Sequence, residues 1–102
     1  MLVLDRPRLF VDLNNAVEED LFLLSTSDSR VDSAGNTITF FAGLGVYVYN
    51  DDTIYNDDDE LDPYIMSGLV GVPPQDVPWA ARWLWSCRID TGFVHLSEAL
   101  RS

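Results

Sequence analysis

The chain has 102 residues, among them 17 Asp and Glu, six Arg, no Lys and one His, which gives a formal net charge of −11. This length is typical of a single domain, residues 1–102, and a hydrophobic fraction of 47% excludes a wholly disordered acidic chain. Nucleic-acid phosphates and anionic membranes would repel such a surface, so the expected partner is a protein with a basic surface.

The expected location is the cytoplasm. Cys87 is the one cysteine, so an intramolecular disulfide bond is excluded. The first residues reach charge and proline too early for the apolar region of a secretory signal. The uncharged stretch 37–50 contains two glycines and is shorter than the roughly 20 apolar residues that span a bilayer.

Two short strands are predicted in the first quarter of the chain. Leu9–Leu13 is a β-prone run that ends at the turn residues Asn14 and Asn15. The second apolar run, 21–26, follows three acids, which would also suit the start of a helix. Because this run is only six residues long and a Ser-rich stretch follows it, we predict a strand.

The middle of the chain has the clearest strand pattern. Thr37–Ala42 is rich in β-branched and aromatic residues, and Val46–Tyr49 alternates aliphatic with aromatic side chains. Gly43 and Gly45 separate the two runs. This arrangement predicts either a hairpin or one long strand that bends at a glycine bulge.

The last third alternates strands with proline-rich breaks. Residues 64–72 predict a strand that Pro73 and Pro74 end. At a period of two, Trp79, Trp83 and Trp85 share one strand face, whereas at helical spacing the segment 76–86 forms a short helix. We favour the strand. Residues 93–96 predict a further strand, and residues 97–100 a final helical turn.

The sequence therefore predicts a mainly β fold, a small antiparallel barrel or rolled sheet of five to six strands. One short helix near 76–86 or at the C-terminus is compatible with it, and the alternative is an α+β roll with a helix near 76–86. A helical bundle would need long runs of 3.6-residue periodicity, which the sequence lacks.

An acidic loop at 50–62 is the main candidate site, with seven carboxylates within twelve residues. A flexible loop of this kind offers the oxygen ligands that Ca²⁺ prefers, so a weak cation site is one hypothesis, and Ca²⁺ is the only candidate cofactor. The alternative is a solvated loop that contributes no binding. The proposed ligands are Asp51, Asp52, Asp57, Asp58, Asp59, Glu60 and Asp62.

A second candidate surface contains aromatic residues and arginine. Tryptophan and arginine are enriched at the centres of protein interfaces, which makes the cluster Trp79, Arg82, Trp83 and Trp85 a candidate partner-binding patch. The alternative, which we favour for the tryptophans, is that a small domain buries these large side chains in its core.

No catalytic residue is predicted. Cys87 and His95 are the only residues available for a thiol–imidazole pair, but their spacing matches no catalytic signature. We instead expect Cys87 in the core and His95 on the outer face of a strand.

The expected function is that of a small acidic binding domain and not an enzyme. It would act through the 50–62 loop, by docking a basic protein or by weakly binding a divalent cation. One alternative is an inhibitor that mimics DNA and occupies the basic groove of a nucleic-acid-binding protein. The other is a structural subunit whose acidic loop is incidental.

Overall fold

The structure is a computed structural model that describes residues 4–50 and 62–101. Within these ranges, two 3₁₀ helices (Leu13–Asn15 and Pro78–Ala80) and one α-helix, α1 (Leu96–Arg101), accompany nine strands. The strands are β1 (Leu9–Phe10), β2 (Ala16–Glu18), β3 (Leu21–Ser25), β4 (Ser29–Val31), β5 (Thr37–Thr39), β6 (Gly45–Asn50), β7 (Tyr64–Gly71), β8 (Trp85–Ile89) and β9 (Val94–His95).

The fold is mainly β, as predicted, with a curled half-barrel sheet and a short C-terminal helix. The strand order of this sheet is β1-β6-β7-β8-β3-β2, and β9 continues the sheet by pairing with the first residues of β7. The pairs are antiparallel except that β1 runs parallel to β6, with Leu9 opposite Val48. The parallel pair departs from the predicted all-antiparallel barrel.

Alternate residues of the curled sheet form the core. In β6, Val46 and Val48 are buried while Tyr47 between them is exposed. The alternation of aliphatic and aromatic residues in the sequence therefore corresponds to the buried and the exposed face of the strand. Val48 is paired with Met66 and Val70 with Cys87, which places these side chains on the inner face. The buried core comprises Leu9, Val11, Phe22, Leu24, Phe40, Val46, Val48, Met66, Val70, Cys87 and Ile89.

Gly68 allows β7 and β8 to approach each other closely on this inner face. A Cβ atom at position 68 would overlap the carbonyl oxygen of Arg88 and lie 2.9 Å from the Cys87 sulfur. Both neighbours belong to β8, and the closer one is a backbone atom that a side-chain rotation cannot move aside. The absence of a side chain at Gly68 is therefore a requirement of the sheet.

Both alternatives predicted for 37–42 and 46–49, a hairpin and a single strand bent at a glycine, are wrong. β5 pairs with β4 in a separate two-stranded sheet, whereas β6 pairs with β1 and β7. The chain between β5 and β6 turns at Gly43, which has a φ of +93° and donates its backbone N–H to Val70. The chain therefore passes from the two-stranded sheet to the large sheet across this turn, which local strand propensity alone does not reveal.

The prediction of a strand over Trp79–Trp85 is also wrong for most of its length. Pro78 occupies the first turn of the 3₁₀ helix Pro78–Ala80, where its missing N–H is not needed, and β8 begins only at Trp85. The helix predicted near 76–86 is present as this single 3₁₀ turn. The Leu9–Leu13 strand is likewise shorter than predicted, because Leu13 already belongs to a 3₁₀ helix that the Asp12 side chain caps.

Candidate functional site

The structure places the two ends of the acidic segment side by side. Asn50, the last residue of β6, is directly paired with Tyr64, the first residue of β7. The Asn50 side chain also donates a 2.7 Å hydrogen bond to the carbonyl oxygen of Val11, just after β1. The acidic segment thus begins and ends at fixed positions on neighbouring strands.

Six of the seven predicted cation ligands (Asp51, Asp52, Asp57, Asp58, Asp59 and Glu60) lie outside the described residues. The seventh, Asp62, is buried with a relative exposure of 6% and binds the start of α1. Its Oδ1 accepts a 3.0 Å hydrogen bond from the backbone N–H of Ser97, and its Oδ2 a 2.7 Å bond from the Ser97 hydroxyl. Asp62 thereby anchors the C-terminal helix to the end of the acidic segment.

His95 also contacts Asp62. Its Nδ1 lies 3.1 Å from the Asp62 carbonyl oxygen, and because a carbonyl oxygen only accepts, this hydrogen bond requires the proton on Nδ1. The imidazole stacks on the ring of Tyr64 with a centroid distance of 4.3 Å. His95 is paired with Tyr64, which packs against the core, so the prediction that it lies on the outer face is wrong.

Cys87 and His95 are far apart. Cys87 is opposite Val70 and His95 is opposite Tyr64, six residues earlier on β7, which corresponds to a separation of about 20 Å. Cys87 is fully buried, as predicted, and burial raises the pKa of its thiol to about 12. This geometry keeps the thiol away from the His95 imidazole and from solvent, both of which a nucleophilic role would require.

The proposed aromatic patch is divided among three environments. Trp79 is half exposed on the 3₁₀ helix, and Arg82 is exposed in the turn that follows. Trp85 packs against the core with its ring 6.5 Å from that of Phe40, so the core interpretation holds for this residue. Trp83 is partly buried and lines a cleft. The three tryptophans therefore do not share one strand face.

The cleft beside Trp83 lies where β1 approaches β3, and we call it the seam cleft. Arg30 joins the two strands there: its Nη1 donates a 2.8 Å hydrogen bond to the carbonyl oxygen of Phe10 and a 3.0 Å bond to that of Leu24. The cleft has a volume of about 350 Å³, and Asp12 lines it together with Arg30. Sequence reasoning missed this site, because its residues come from three distant parts of the chain.

A second cleft, of about 360 Å³, lies on the outer face of β6 and β7. The guanidinium of Arg6 lies 4.3 Å above the ring of Tyr47, and that of Arg8 lies 5.6 Å from the same ring. Arg8 is buried and pairs with Asp5, with 2.8 Å between Nε and Oδ1, and this pairing lowers the pKa of the Asp5 carboxyl. The arginines here are therefore largely engaged by the protein itself.

In residues 4–50 and 62–101, the His, Cys, Asp and Glu side chains form no group of three that could hold a metal ion. None of the helices in the same ranges is long and apolar enough to cross a membrane. In comparisons with known proteins, no family model, no curated protein and no solved structure matches this chain.

Proposed function

We propose that this chain is a small binding domain that docks a basic surface of a partner protein through its acidic segment 50–62. The supporting observation is the direct pairing of Asn50 with Tyr64, which fixes the two residues that flank the segment at one end of the β6–β7 pair. Because both ends of the segment are held there, its charges stay near one end of the sheet, which favours oriented association with a partner of opposite charge.

The charge distribution supports the same proposal. Residues 4–50 and 62–101 carry eleven acids and all six arginines, a net charge of −5, whereas 51–61 carry the remaining six acids and no base. A net charge of about −5 is ordinary for a small soluble domain. The excess charge is therefore local, and local charge steers a basic partner to one site and raises the association rate.

Weak binding of a divalent cation by the same segment is the second hypothesis. It requires oxygen ligands from the acids of the segment, and the Asp62 carboxylate already accepts two hydrogen bonds from Ser97. A cation that used Asp62 would have to compete with those bonds. We therefore place docking of a basic partner ahead of cation binding.

The test is an NMR titration of the ¹⁵N-labelled chain in physiological salt with two separate probes, a decalysine peptide and Ca²⁺. The proposal expects decalysine to cause saturable shifts in residues 50–64 and small shifts elsewhere, and Ca²⁺ to cause weaker ones. Decalysine shifts spread evenly over all acidic surfaces would contradict the proposal. Saturation by Ca²⁺ without any localised response to decalysine would favour the cation site instead.

A further inference from the structure

The seam cleft contains a cation, Arg30, that has no carboxylate partner among the described residues. Arg30 is half buried, and no Asp or Glu of residues 4–50 and 62–101 lies within ion-pair distance of it. Its Nη1 is used by the carbonyl oxygens of Phe10 and Leu24, and its Nε and Nη2 bond to none of the described residues. Carbonyl oxygens hold the guanidinium in place but do not neutralise its charge, and burial lowers its pKa.

The same cleft contains an anion, Asp12, that forms no ion pair with the described residues. Asp12 Oδ1 caps the 3₁₀ helix by accepting a 2.9 Å hydrogen bond from the Asn14 N–H. Its Oδ2 accepts no hydrogen bond from the described residues, and no arginine among them lies within 4.0 Å of the carboxylate. Asp12 and Arg30 therefore line one cleft with opposite charges that do not pair with each other.

The remaining lining matches a small organic molecule. Trp83 and Phe10, both partly buried, contribute aromatic side chains to the lining, whereas the Leu23 and Val11 side chains are almost fully buried. A volume of about 350 Å³ is at the small end of ligand pockets, in which a few polar groups orient the ligand. The lining also includes Asn15, Ser25, Thr26 and Ser27, so polar contacts to the ligand backbone are available. A simple inorganic anion would satisfy Arg30 but would be repelled by Asp12.

We propose that the seam cleft binds a free α-amino acid with an apolar or aromatic side chain. The ligand carboxylate accepts hydrogen bonds from Arg30, and the ligand ammonium group pairs with Asp12. Its side chain packs against Trp83, where an aromatic ring gains additional stabilisation from ring–ring contact. Such a ligand carries both of the charges that the described residues leave unmatched in the cleft. This site is separate from the acidic segment and does not depend on the function proposed above.

The first test compares three probes on the full chain by ¹H–¹⁵N NMR, observing the Arg30 Nε–H and Trp83 indole signals. The probes are L-phenylalanine, its amide, which lacks the carboxylate, and its N-acetyl derivative, which lacks the ammonium group. L-phenylalanine should shift both signals saturably, with a Kd near 1 mM or below, and each analogue should bind about tenfold more weakly. Equal binding of the N-acetyl derivative, or no saturable shift at about 20 mM, would overturn the proposal.

The second test uses variants that keep the fold. Asp12→Asn retains an oxygen that can cap the 3₁₀ helix but removes the charge, so it should weaken L-phenylalanine about tenfold and abolish discrimination against the N-acetyl form. Trp83→Leu should also weaken binding, whereas Trp79→Leu, outside the cleft, should not. Arg30→Lys is less suitable because Arg30 also joins β1 to β3. Unchanged affinity in Asp12→Asn would contradict the assigned role of Asp12.

Discussion

Ser97 donates two hydrogen bonds to Asp62, one from its backbone N–H to Oδ1 at 3.0 Å and one from its hydroxyl to Oδ2 at 2.7 Å. In the sequence Asp62 is the last member of an acidic run, but in the structure it caps the first turn of α1 across 35 residues of chain. It is therefore part of the scaffold that holds the end of the acidic segment.

This relationship predicts a stability loss in Asp62→Ala. The substitution removes two hydrogen bonds to a buried carboxylate and leaves the Ser97 N–H without its cap, so the free energy of unfolding should fall by about 2 kcal/mol. Urea denaturation, monitored by tryptophan fluorescence, measures this free energy of unfolding. Glu98→Gln, an exposed change in the same helix, is the control and should stay within about 0.5 kcal/mol. Equal stability of the two variants would contradict the capping role.

The pair of Asp5 and Arg8 predicts a pH-dependent contribution to stability. Arg8 holds the pKa of Asp5 below its ordinary value of 3.8 in the folded chain, so the pair stabilises the fold above that pH. The contribution is lost as the pH falls through the lowered pKa. The stability difference between the wild type and Asp5→Asn should therefore be largest near neutral pH and shrink in acid.

Urea titrations at neutral pH and at about pH 2 measure this difference, and Arg8→Met provides the matched background. When Asp5→Asn is made in the Arg8→Met chain, the pH-dependent part should be absent, because the cation that shifts the pKa is missing. A difference that is the same at both pH values in the wild-type background would show that the pair does not contribute in this way.

Gly68→Ala should be strongly destabilising. The added Cβ would overlap the carbonyl oxygen of Arg88, a backbone atom that moves only if β7 and β8 separate. We expect a loss of at least about 2 kcal/mol, as for other overpacked cores. Gly71→Ala in the same strand meets open space and should be neutral or slightly stabilising. Thermal unfolding of the two variants is the measurement, and similar melting temperatures would contradict the close approach at Gly68.

Cys87 should be unreactive in the native protein. Burial raises its pKa to about 12, so roughly one thiol in ten thousand is ionised at pH 8, and the thiolate is the reactive form. A disulfide reagent such as DTNB should label Cys87 only in denaturant or through transient unfolding. Labelling of the native chain as fast as that of the denatured chain would show that the thiol is accessible.

The parts of the fold that depend on alternation and turn residues could be predicted from the sequence. The alternation of aliphatic and aromatic residues in Val46–Tyr49 predicted β6, and the proline stop at Pro73 marked the end of the strand now described as β7. These features are local, and each follows from side-chain periodicity or from the missing N–H of proline.

Strand partners and the seam cleft could not be predicted in this way. The pairing of β5 with β4 rather than β6 depends on which strands meet in space, and strand propensity carries no information about partners. Arg30 lies within a Ser- and Asp-rich stretch, a composition that is typical of a turn. Its role, which is to join β1 to β3, depends on the carbonyl groups of Phe10 and Leu24 lying next to each other in the folded chain.

The central claim, that the acidic segment is the binding surface, is tested most directly by isothermal titration of decalysine into two variants of equal charge in physiological salt. In the first, Asp57, Asp58 and Asp59 become Asn and Glu60 becomes Gln. In the second, which is the control, the exposed acids Glu19 and Glu98 become Gln and Asp28 and Asp76 become Asn.

Both variants reduce the negative charge by four. We predict that the first weakens binding at least about tenfold, which corresponds to about 1.4 kcal/mol, and that the second weakens it by less than about threefold. Equal weakening in the two variants would show that only the total charge matters, and would contradict a binding surface formed by the acidic segment.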